Sequence, residues 1–330
     1  MKLIAVEEHF GFAEIGEGGK PEQDILCPGF HASYANAYPL PHVPVPGSMQ
    51  DIGAGRIADM DANGIDVQIL SSNSTQLITS PDAVDICRGA NDKLAQAVRQ
   101  YPGRFYGFAS LPTIDPAAAA NELERTVTTY GFLGANLFGR TAGRFLDDPV
   151  FEPLLQCAET LNVPLYLHPG FPPRQVSDVC YDGFSEIVST RFSCAAWGWH
   201  ADGGVQVIRM ILAGVFDRHP KLQIISGHWG EMVPWYLERL QEAMPREVTG
   251  LEQDIPEYFQ RNIYVTPSGM FSVAQLKYIL EVIGVDRVMF SADYPFIPNT
   301  GARAFLENAP ISQEDKEKIA HGNAEALFHI

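Results

Sequence analysis

Short apolar runs alternate along the chain with segments of helical periodicity. Eight apolar runs predict β-strands, at residues 3–9, 67–72, 105–111, 134–139, 164–169, 223–228, 263–269 and 288–295. Helix-period segments lie between them, at residues 56–64, 82–102, 116–131, 150–161, 204–218, 231–244, 272–283 and 312–327. Strands that alternate with helices in this way indicate βαβ units and a parallel sheet.

Eight such repeats predict an α/β fold of the (β/α)8 TIM-barrel type, as a single domain over residues 1–330. Two long insertions, at about 10–51 and 170–203, follow the first and fifth strands. Because barrel active sites form at the carboxyl ends of the strands, we expect both insertions to border the site. An open doubly wound sheet is the alternative fold, but no GxGxxG motif follows the first strand.

Composition narrows the class of protein. Hydrophobic residues make up 46% of the chain and charged residues 19%, as is typical of a compact protein with a large core. A net charge of −17 with no Lys/Arg-rich run argues against a nucleic-acid partner, and no apolar run is long enough for a membrane span. Five widely spaced cysteines without a CxxC pair argue against a disulfide framework or a thiolate metal site, and they favour a cytoplasmic location.

Ionisable side chains stand at the ends of the predicted strands. In the first strand, simple alternation puts residues 3, 5, 7 and 9 on one face, so Glu7 and His9 share a face and Glu8 takes the other. Three more predicted strands end in such residues: His168, His228 and Asp293. Barrel closure would bring these distant positions together at one mouth.

Histidine and carboxylate side chains are ligands for zinc, manganese or iron. The carboxylates and the absence of a thiolate lean toward manganese and leave zinc open. Each histidine taken alone is also consistent with a hydrogen-bonded core or loop residue. The fourth strand, around Asn136, carries no lysine, whereas binuclear barrel hydrolases commonly bridge two metals with a carboxylated lysine there. The pattern therefore predicts a single metal ion.

Other charged and aromatic residues are candidates for the substrate end. Glu231 follows His228 by three residues and can orient its imidazole or interact with a helix dipole. Arg239 and Arg140 can each bind a substrate carboxylate or remain solvated surface charges. Aromatic side chains of the insertions can wall a ring or pack in the core; the candidates are Phe10, Phe12, Tyr181, Trp197 and Trp199, of which we single out Phe10, Tyr181 and Trp197.

The chain resembles the amidohydrolase superfamily, and within it the metal-dependent non-oxidative decarboxylases of the aminocarboxymuconate-semialdehyde and γ-resorcylate (dihydroxybenzoate) type. The motifs that carry this resemblance are EEHF at 7–10, PLYLHP at 164–169, GHWGE at 227–231, FSADYPF at 290–296 and GNAEALF at 322–328. The Glu-x-His of the first strand, where the superfamily more often has His-x-His, is similar to the γ-resorcylate subgroup. Residues 197–204 match only in part, and the 10–51 insertion is not matched, so the particular acid stays open.

The resemblance implies one divalent ion, Mn2+ or Zn2+, and a homodimer or homotetramer. The implied metal ligands are Glu7, His9, His168 and Asp293. It also implies that His228 and Glu231 lie beside the substrate, and Arg239 falls where the subgroup has an arginine.

The expected reaction is loss of CO2 from an ortho-hydroxy aromatic carboxylate, with Asp293 as proton donor to the ring. In this scheme His228 stabilises or deprotonates the phenol. The alternative is metal-dependent hydrolysis of a lactone or amide, with Asp293 as base. A non-catalytic barrel is a third interpretation, which a complete ligand set disfavours.

Overall fold

The computed structural model describes residues 1–35, 37–72 and 74–330. Within these residues, seven parallel strands form two sheets, ordered β1-β2-β3 and β4-β5-β6-β7. The strands are β1 (Ile4–Phe10), β2 (Val67–Ser72), β3 (Phe105–Gly107), β4 (Ala135–Phe138), β5 (Leu165–His168), β6 (Ile224–Ser226) and β7 (Ile263–Val265). Nearly every strand residue is buried, as expected for parallel strands covered on both faces.

Backbone pairing joins the two sheets at both seams. At the first seam, Ala109 just beyond β3 pairs in parallel with the first residue of β4. At the second, Val288 pairs in parallel with Val265 of β7, and the Val6 N–H donates to Phe290 O at 3.0 Å. The eighth predicted strand therefore lies between β7 and β1. Eight parallel segments form a ring, and the predicted (β/α)8 barrel is confirmed.

The eighth segment departs from a regular strand because a side chain supplies some of its hydrogen bonds. The Glu8 carboxylate accepts from the backbone N–H of Ala292 at 2.9 Å and of Tyr294 at 3.2 Å, and from Gln68 Nε2 at 3.3 Å. Burial raises the pKa of Glu8 well above its usual value, while the Ala292 N–H and Arg56 oppose the shift. Glu8 therefore fastens the eighth segment to β1 from outside the metal site.

The helices follow the predicted order around the ring. They comprise α1 (Ala13–Leu26), α2 (Ala54–Asn63), α3 (Ala83–Gln100), α4 (Pro116–Tyr130), α5 (Glu152–Leu161), α6 (Arg174–Cys180), α7 (Glu186–Ser193), α8 (Gly198–Leu212), and then Val215–Arg218, Leu237–Ala243, Arg246–Thr249, Ile255–Asn262, Val273–Ile283, Ala302–Glu307, Gln313–Glu317 and Asn323–Phe328. Local signals explain boundaries such as those of α4. The Asp115 carboxylate accepts from the Ala118 N–H at its start, and Gly131 ends it with a φ of 68°.

A β-bulge interrupts β1 just before its ionisable residues. Ala5 pairs with Gln68 and Glu8 pairs with Leu70, so β1 contains one residue more than β2 between these pairs. A bulge shifts the phase of strand alternation, because two successive residues then lie on the same side.

The bulge decides which face of β1 carries the site. Before it, Ile4 and Val6 lie in the core inside the ring, whereas Leu3 packs in the outer core under the helices. After it, Glu7 and His9 point inward. The prediction that Glu7 and His9 share a face is right, but the prediction that residues 3 and 5 share it with them is wrong. Without the extra residue, alternation from Val6 would turn Glu7 toward the helices.

Both insertions lie over the carboxyl ends of the strands. The first carries α1 and a π-helical turn at His31–Ala35, and the second carries α6, α7 and the start of α8. An apolar cluster, here called the roof cluster, connects them and consists of Cys27, Tyr34, Leu77, Phe138, Phe171 and Cys194. Among the helices of the described residues, none has the length and apolar character needed to cross a bilayer.

Candidate metal centre and active site

Four side chains from β1, β5 and the eighth segment converge at the carboxyl end of the barrel. Each of Glu7, His9, His168 and Asp293 offers one ligand atom, and these atoms all lie within 4.8 Å of one another. His9 Nε2 lies 3.0 Å from Asp293 Oδ1, and His168 Nε2 lies 3.6 Å from Glu7 Oε1. All four residues are buried. This geometry suits a single cation held by two nitrogen and two oxygen donors.

The donor atoms fit a cation because the protein leaves them without partners. Among the described residues, Glu7 Oε1, His9 Nε2 and Asp293 Oδ1 are buried and make no hydrogen bond, despite the short approach of the last two. Orphaned buried polar atoms are costly, and a cation bound between these three would give them a common partner. Burial raises the pKa of Glu7 above its usual value, His228 opposes the rise and Asp293 adds to it. A divalent cation would favour the ionised form of Glu7.

Hydroxyl groups hold the other oxygen of Glu7. The Ser268 hydroxyl donates to Glu7 Oε2, and the hydroxyls of Ser291 and Thr266 lie 3.3 and 3.5 Å from the same atom. These three residues belong to the segments that follow or neighbour β7. They fix the carboxylate so that only Oε1 faces the metal centre.

His168 is held in its neutral form. Its Nδ1–H donates to Pro169 O at 2.8 Å, which leaves the lone pair of Nε2 facing Glu7. Burial lowers the pKa of His168 well below its usual value, and the charges of neighbouring histidines act in the same direction. The Phe138 ring stacks on the imidazole with centroids 4.7 Å apart. A neutral, fixed imidazole is the form that binds metals.

Neutral polar residues fill the interior positions next to His9. Ser71 Oγ lies 3.4 Å from His9 Nδ1, and Asn136 Nδ2 donates to this Ser71 oxygen at 2.9 Å. Asn136 lies in β4, the strand in which binuclear barrel hydrolases commonly carry a bridging lysine. The Asn136 amide instead holds Ser71, whose hydroxyl lies beside the His9 ring.

The segment after β6 forms a left-handed turn where the sequence predicts the start of a right-handed helix. The φ angles are 48° at His228, 59° at Trp229, 81° at Gly230, 51° at Glu231 and 65° at Met232. Each non-glycine residue in this conformation costs about 1–2 kcal/mol. The predicted helix 231–244 therefore begins only at the Leu237–Ala243 helix, after a 3-10 turn.

Hydrogen bonds from neighbouring segments offset this strain. The His228 N–H donates to Ser268 Oγ at 2.8 Å, and the Trp229 N–H donates to Thr266 O at 2.8 Å. The Trp229 indole also donates to Met270 O at 2.8 Å. The turn is thus anchored to residues beyond β7. Within the turn, the His228 ring and the Glu231 carboxylate face each other.

Glu231 lies between two imidazoles. Its Oε1 is 2.7 Å from His228 Nδ1, and its Oε2 is 2.9 Å from His200 Nδ1. His200 Nε2 lies 2.9 Å from Ala195 O, so His200 is fixed from both sides. Burial opposes charge on His228, but Glu231, Glu7 and Asp293 together outweigh burial and raise the pKa of His228 to about 10, with Glu231 contributing most of the three. Burial likewise opposes charge on Glu231, yet the two histidines lower its pKa.

Two glycines allow α8 to approach this group. A Cβ atom at Gly204 would lie 2.6 Å from Glu231 O, and one at Gly203 would lie 3.1 Å from Glu231 Cγ. Any larger side chain at Gly204 would push the helix or the turn aside. The Gly-Gly pair therefore fixes the distance between His200, one turn earlier on α8, and the Glu231 carboxylate.

A cavity of about 390 Å3 opens directly onto these groups. His168, His228 and Asp293 form its polar end, and His200 lies beside them. Its walls are mainly aromatic and come from both insertions, β4 and the eighth segment: Phe30, Tyr34, Phe138, Phe171, Trp199 and Phe296. A polar end beside an aromatic wall is suited to a small planar acid.

Five predicted substrate contacts do not line this cavity, and three of them are aromatic residues. Phe10 is one residue beyond His9 on β1, so it points outward and packs against Phe12. Tyr181 packs on Phe192, away from the cavity. Trp197 precedes α8 and is 48% exposed, whereas its near neighbour Trp199 does line the cavity.

The two predicted arginines also lie elsewhere. Arg140 forms an ion pair with Asp202 and stacks over the Phe145 ring. The Arg239 side chain is 72% exposed and pairs with Glu242 at 3.2 Å. Both arginines are therefore paired with carboxylates of the same chain, and neither of them lines the cavity.

Sequence reasoning missed several residues that do reach the site. His200 had a signal, since it is a histidine in the second insertion, but its Glu231 partner is 31 positions away. Phe296 follows the FSADYP motif and contacts the His9 ring with centroids 5.5 Å apart. Ser268 carried no signal, because a serine after a strand is common and only the folded ring shows that it faces Glu7.

Comparison with known proteins places this site in a family. The amidohydrolase family model matches residues 48–330. The chain belongs to the amidohydrolase family. The resemblance predicted from the sequence is therefore confirmed, and the relatives described next place it near the decarboxylase branch of that family.

Three relatives within this amidohydrolase branch cover nearly the whole chain. γ-Resorcylate decarboxylase of Rhodococcus jostii is 35% identical, over 99% of this chain and 98% of the relative. Dihydroxybenzoic acid decarboxylase of a Polaromonas species, solved with manganese and the inhibitor 2-nitroresorcinol, is 33% identical with a TM-score of 0.83, over 99% and 97%. 5-Carboxyvanillate decarboxylase of Novosphingobium aromaticivorans, solved with manganese and 4-hydroxy-3-methoxy-5-nitrobenzoic acid, is 31% identical with a TM-score of 0.89, over 100% and 96%.

Proposed function

We propose that this amidohydrolase is a carboxy-lyase that removes CO2 from a monocyclic aromatic acid with a hydroxyl group ortho to the carboxylate. The observation that carries the proposal is the set of orphaned donor atoms beside an aromatic cavity. Relatives that match over the whole chain and are named as decarboxylases of such acids support it.

We further propose that one ion occupies the centre and that it is manganese in preference to zinc. The proposed ligands are Glu7, His9, His168 and Asp293. Two carboxylates with two imidazoles and no thiolate are consistent with manganese, which two solved relatives contain. A divalent cation bound there supplies Lewis acidity and a fixed point for orienting the substrate oxygens.

The proposed proton donor is Asp293. It borders the cavity with its side chain only 10% exposed, so a proton on its carboxyl group can pass to the ring carbon that bears the carboxylate. That carbon becomes tetrahedral, the bond to the carboxylate breaks, CO2 leaves, and the bonding electrons restore the aromatic ring. Protonating the ring first avoids an aryl anion, which would be a poor leaving species.

The proposed partner of the phenolic oxygen is His228. Its ring packs edge-to-face on His168 at the polar end of the cavity, with centroids 5.8 Å apart, and Glu231 holds it in the charged form. An imidazolium there donates a hydrogen bond to the phenolic oxygen and stabilises negative charge on it. His200 positions Glu231 from the other side.

The experiment measures CO2 release. Purified protein supplied with Mn2+ or Zn2+ is incubated with 2,6-dihydroxybenzoate, 2,3-dihydroxybenzoate and related acids, and loss of the substrate spectrum is followed with CO2. We expect turnover with Mn2+ that Asp293→Asn abolishes and the matched surface variant Asp286→Asn retains, since Asp286 pairs with Lys318 on the surface. Opening of lactones or amides without CO2 would instead identify a hydrolase. Substantial turnover by Asp293→Asn would exclude the proton-donor role.

A further inference from the structure

Two cysteines from different insertions meet above the cavity. Cys27 directly follows α1 in the first insertion, and Cys194 directly follows α7 in the second. Their Sγ atoms are 3.6 Å apart, although the residues are 167 positions apart in the chain. Both are free thiols and both belong to the roof cluster. The proposed decarboxylation uses neither of them.

We propose that Cys27 and Cys194 form a redox-sensitive thiol pair, which a low-molecular-weight disulfide such as oxidised glutathione converts into a disulfide that ties the two insertions together. A disulfide needs a sulfur–sulfur distance of about 2.05 Å, so the thiols must close by roughly 1.5 Å. The residues at the carboxyl ends of α1 and α7 would have to move to bring the two sulfur atoms together.

Access to the pair comes from one side. Cys27 is only 5% exposed, but it lines a surface hollow of about 290 Å3 with Arg174 and Ser193, whereas Cys194 is fully buried and does not line the hollow. A hydrogen bond with Cys194 lowers the pKa of Cys27, and Arg174 acts in the same direction, whereas burial raises the pKa of Cys194. Cys27 is therefore the attacking thiol, and Cys194 is the resolving thiol.

The exchange balances in two steps. The Cys27 thiolate attacks one sulfur of oxidised glutathione, which forms a mixed disulfide and releases one glutathione. The Cys194 thiolate then attacks the Cys27 sulfur, which closes the internal disulfide and releases the second glutathione. The two protein thiols lose two electrons to oxidised glutathione, and their two protons end on the two glutathione thiols.

The disulfide would restrain the roof over the active site. The roof cluster includes Tyr34, Phe138 and Phe171, which also line the cavity. A covalent tie between the insertions would limit their separation, so hydrogen exchange of residues 27–35 and 190–199 should slow in the oxidised protein. This readout is independent of the metal and of turnover.

Peptide mapping tests the proposal directly. The intact, folded protein is incubated with oxidised glutathione, remaining thiols are blocked by alkylation, and the digest is analysed by mass spectrometry without reduction. We expect a peptide that links Cys27 to Cys194 and that disappears on reduction. If both cysteines are recovered alkylated, or only as separate glutathione adducts, the proposal is overturned.

Variants test the order of the steps. Cys194→Ser should leave Cys27 as a stable glutathione adduct, and Cys27→Ser should leave Cys194 unmodified because it is fully buried. The exposed Cys180 is the internal control for reagent activity, since it should react in every variant. A linked peptide that joins Cys180 to either thiol would contradict the assignment. Because the mapping of the unaltered protein needs no variant, poor folding of one variant would leave the test intact.

Discussion

Replacing Glu231 with glutamine tests the link between the strained turn and the charge on His228. Glutamine keeps the size of the side chain and removes its charge, so the variant isolates electrostatics from packing. In the wild type, Glu231 Oε1 is 2.7 Å from His228 Nδ1 in a buried setting. We therefore expect Glu231→Gln to lower the pKa of His228 and to leave the turn folded.

The size of the effect follows from the pKa of His228. Its rise from 6.5 to about 10 corresponds to roughly 5 kcal/mol in favour of the imidazolium, at about 1.36 kcal/mol per unit. Burial opposes this preference, and Glu231 is the largest of three carboxylate contributions, ahead of Glu7 and Asp293. The three carboxylates must therefore supply more than about 5 kcal/mol together, and Glu231, as the largest, at least a third of this, roughly 1.5–2 kcal/mol, which predicts a decrease of at least about one pKa unit.

Nuclear magnetic resonance of the His228 ring measures this shift. The titration midpoint is compared between wild type and Glu231→Gln in metal-free protein, so that no cation contributes. His200→Gln serves as the matched control, because it removes the other imidazole from the same carboxylate and should change the midpoint less. A midpoint in Glu231→Gln within about half a unit of the wild type would refute the reasoning.

The same change alters the pH dependence of stability. Because folding raises the pKa of His228, its stabilising contribution is fully present below pH 6.5 and is lost as the pH rises through about 10. In urea unfolding of metal-free protein, the wild type should therefore exceed Glu231→Gln in stability at pH 6.5. The difference should shrink toward pH 10. A constant difference across this range would show that the loss comes from packing.

Three further outcomes are expected. Asp293→Asn should lower kcat by at least about 100-fold while elemental analysis still finds metal, and near-normal kcat would contradict the proposal. Ser268→Ala should weaken Mn2+ binding by about 10-fold in titration calorimetry, because Glu7 loses its shortest hydrogen bond; unchanged affinity would remove that role. Gly204→Ala should lower the melting temperature and kcat together, since its Cβ would meet Glu231 O at 2.6 Å, whereas Gly250→Ala should leave kcat unchanged.

Much of the metal centre is readable from the sequence because its ligands stand at strand ends. Glu7, His9 and His168 close apolar runs, and Asp293 lies inside the eighth run. A parallel barrel brings the carboxyl ends of its strands to one mouth, so local patterns grouped these residues together with His228, and the family resemblance separated the four expected ligands from it. The substrate contacts were not predictable in this way, since insertions have no fixed periodicity, and Trp197 and Trp199 differ only in which one faces the cavity.

The sequence by itself determined the order of strands and helices and the chemistry of the ligands, because both depend on local periodicity and residue type. Only the tertiary structure decided which face of β1 carries Glu7, because a bulge arises from pairing with β2. Tertiary contacts also decided the left-handed turn at His228, since bonds to residues 266–270 offset its strain. The same is true of the meeting of His200 with Glu231 and of Cys27 with Cys194, because contacts between distant segments have no local signature.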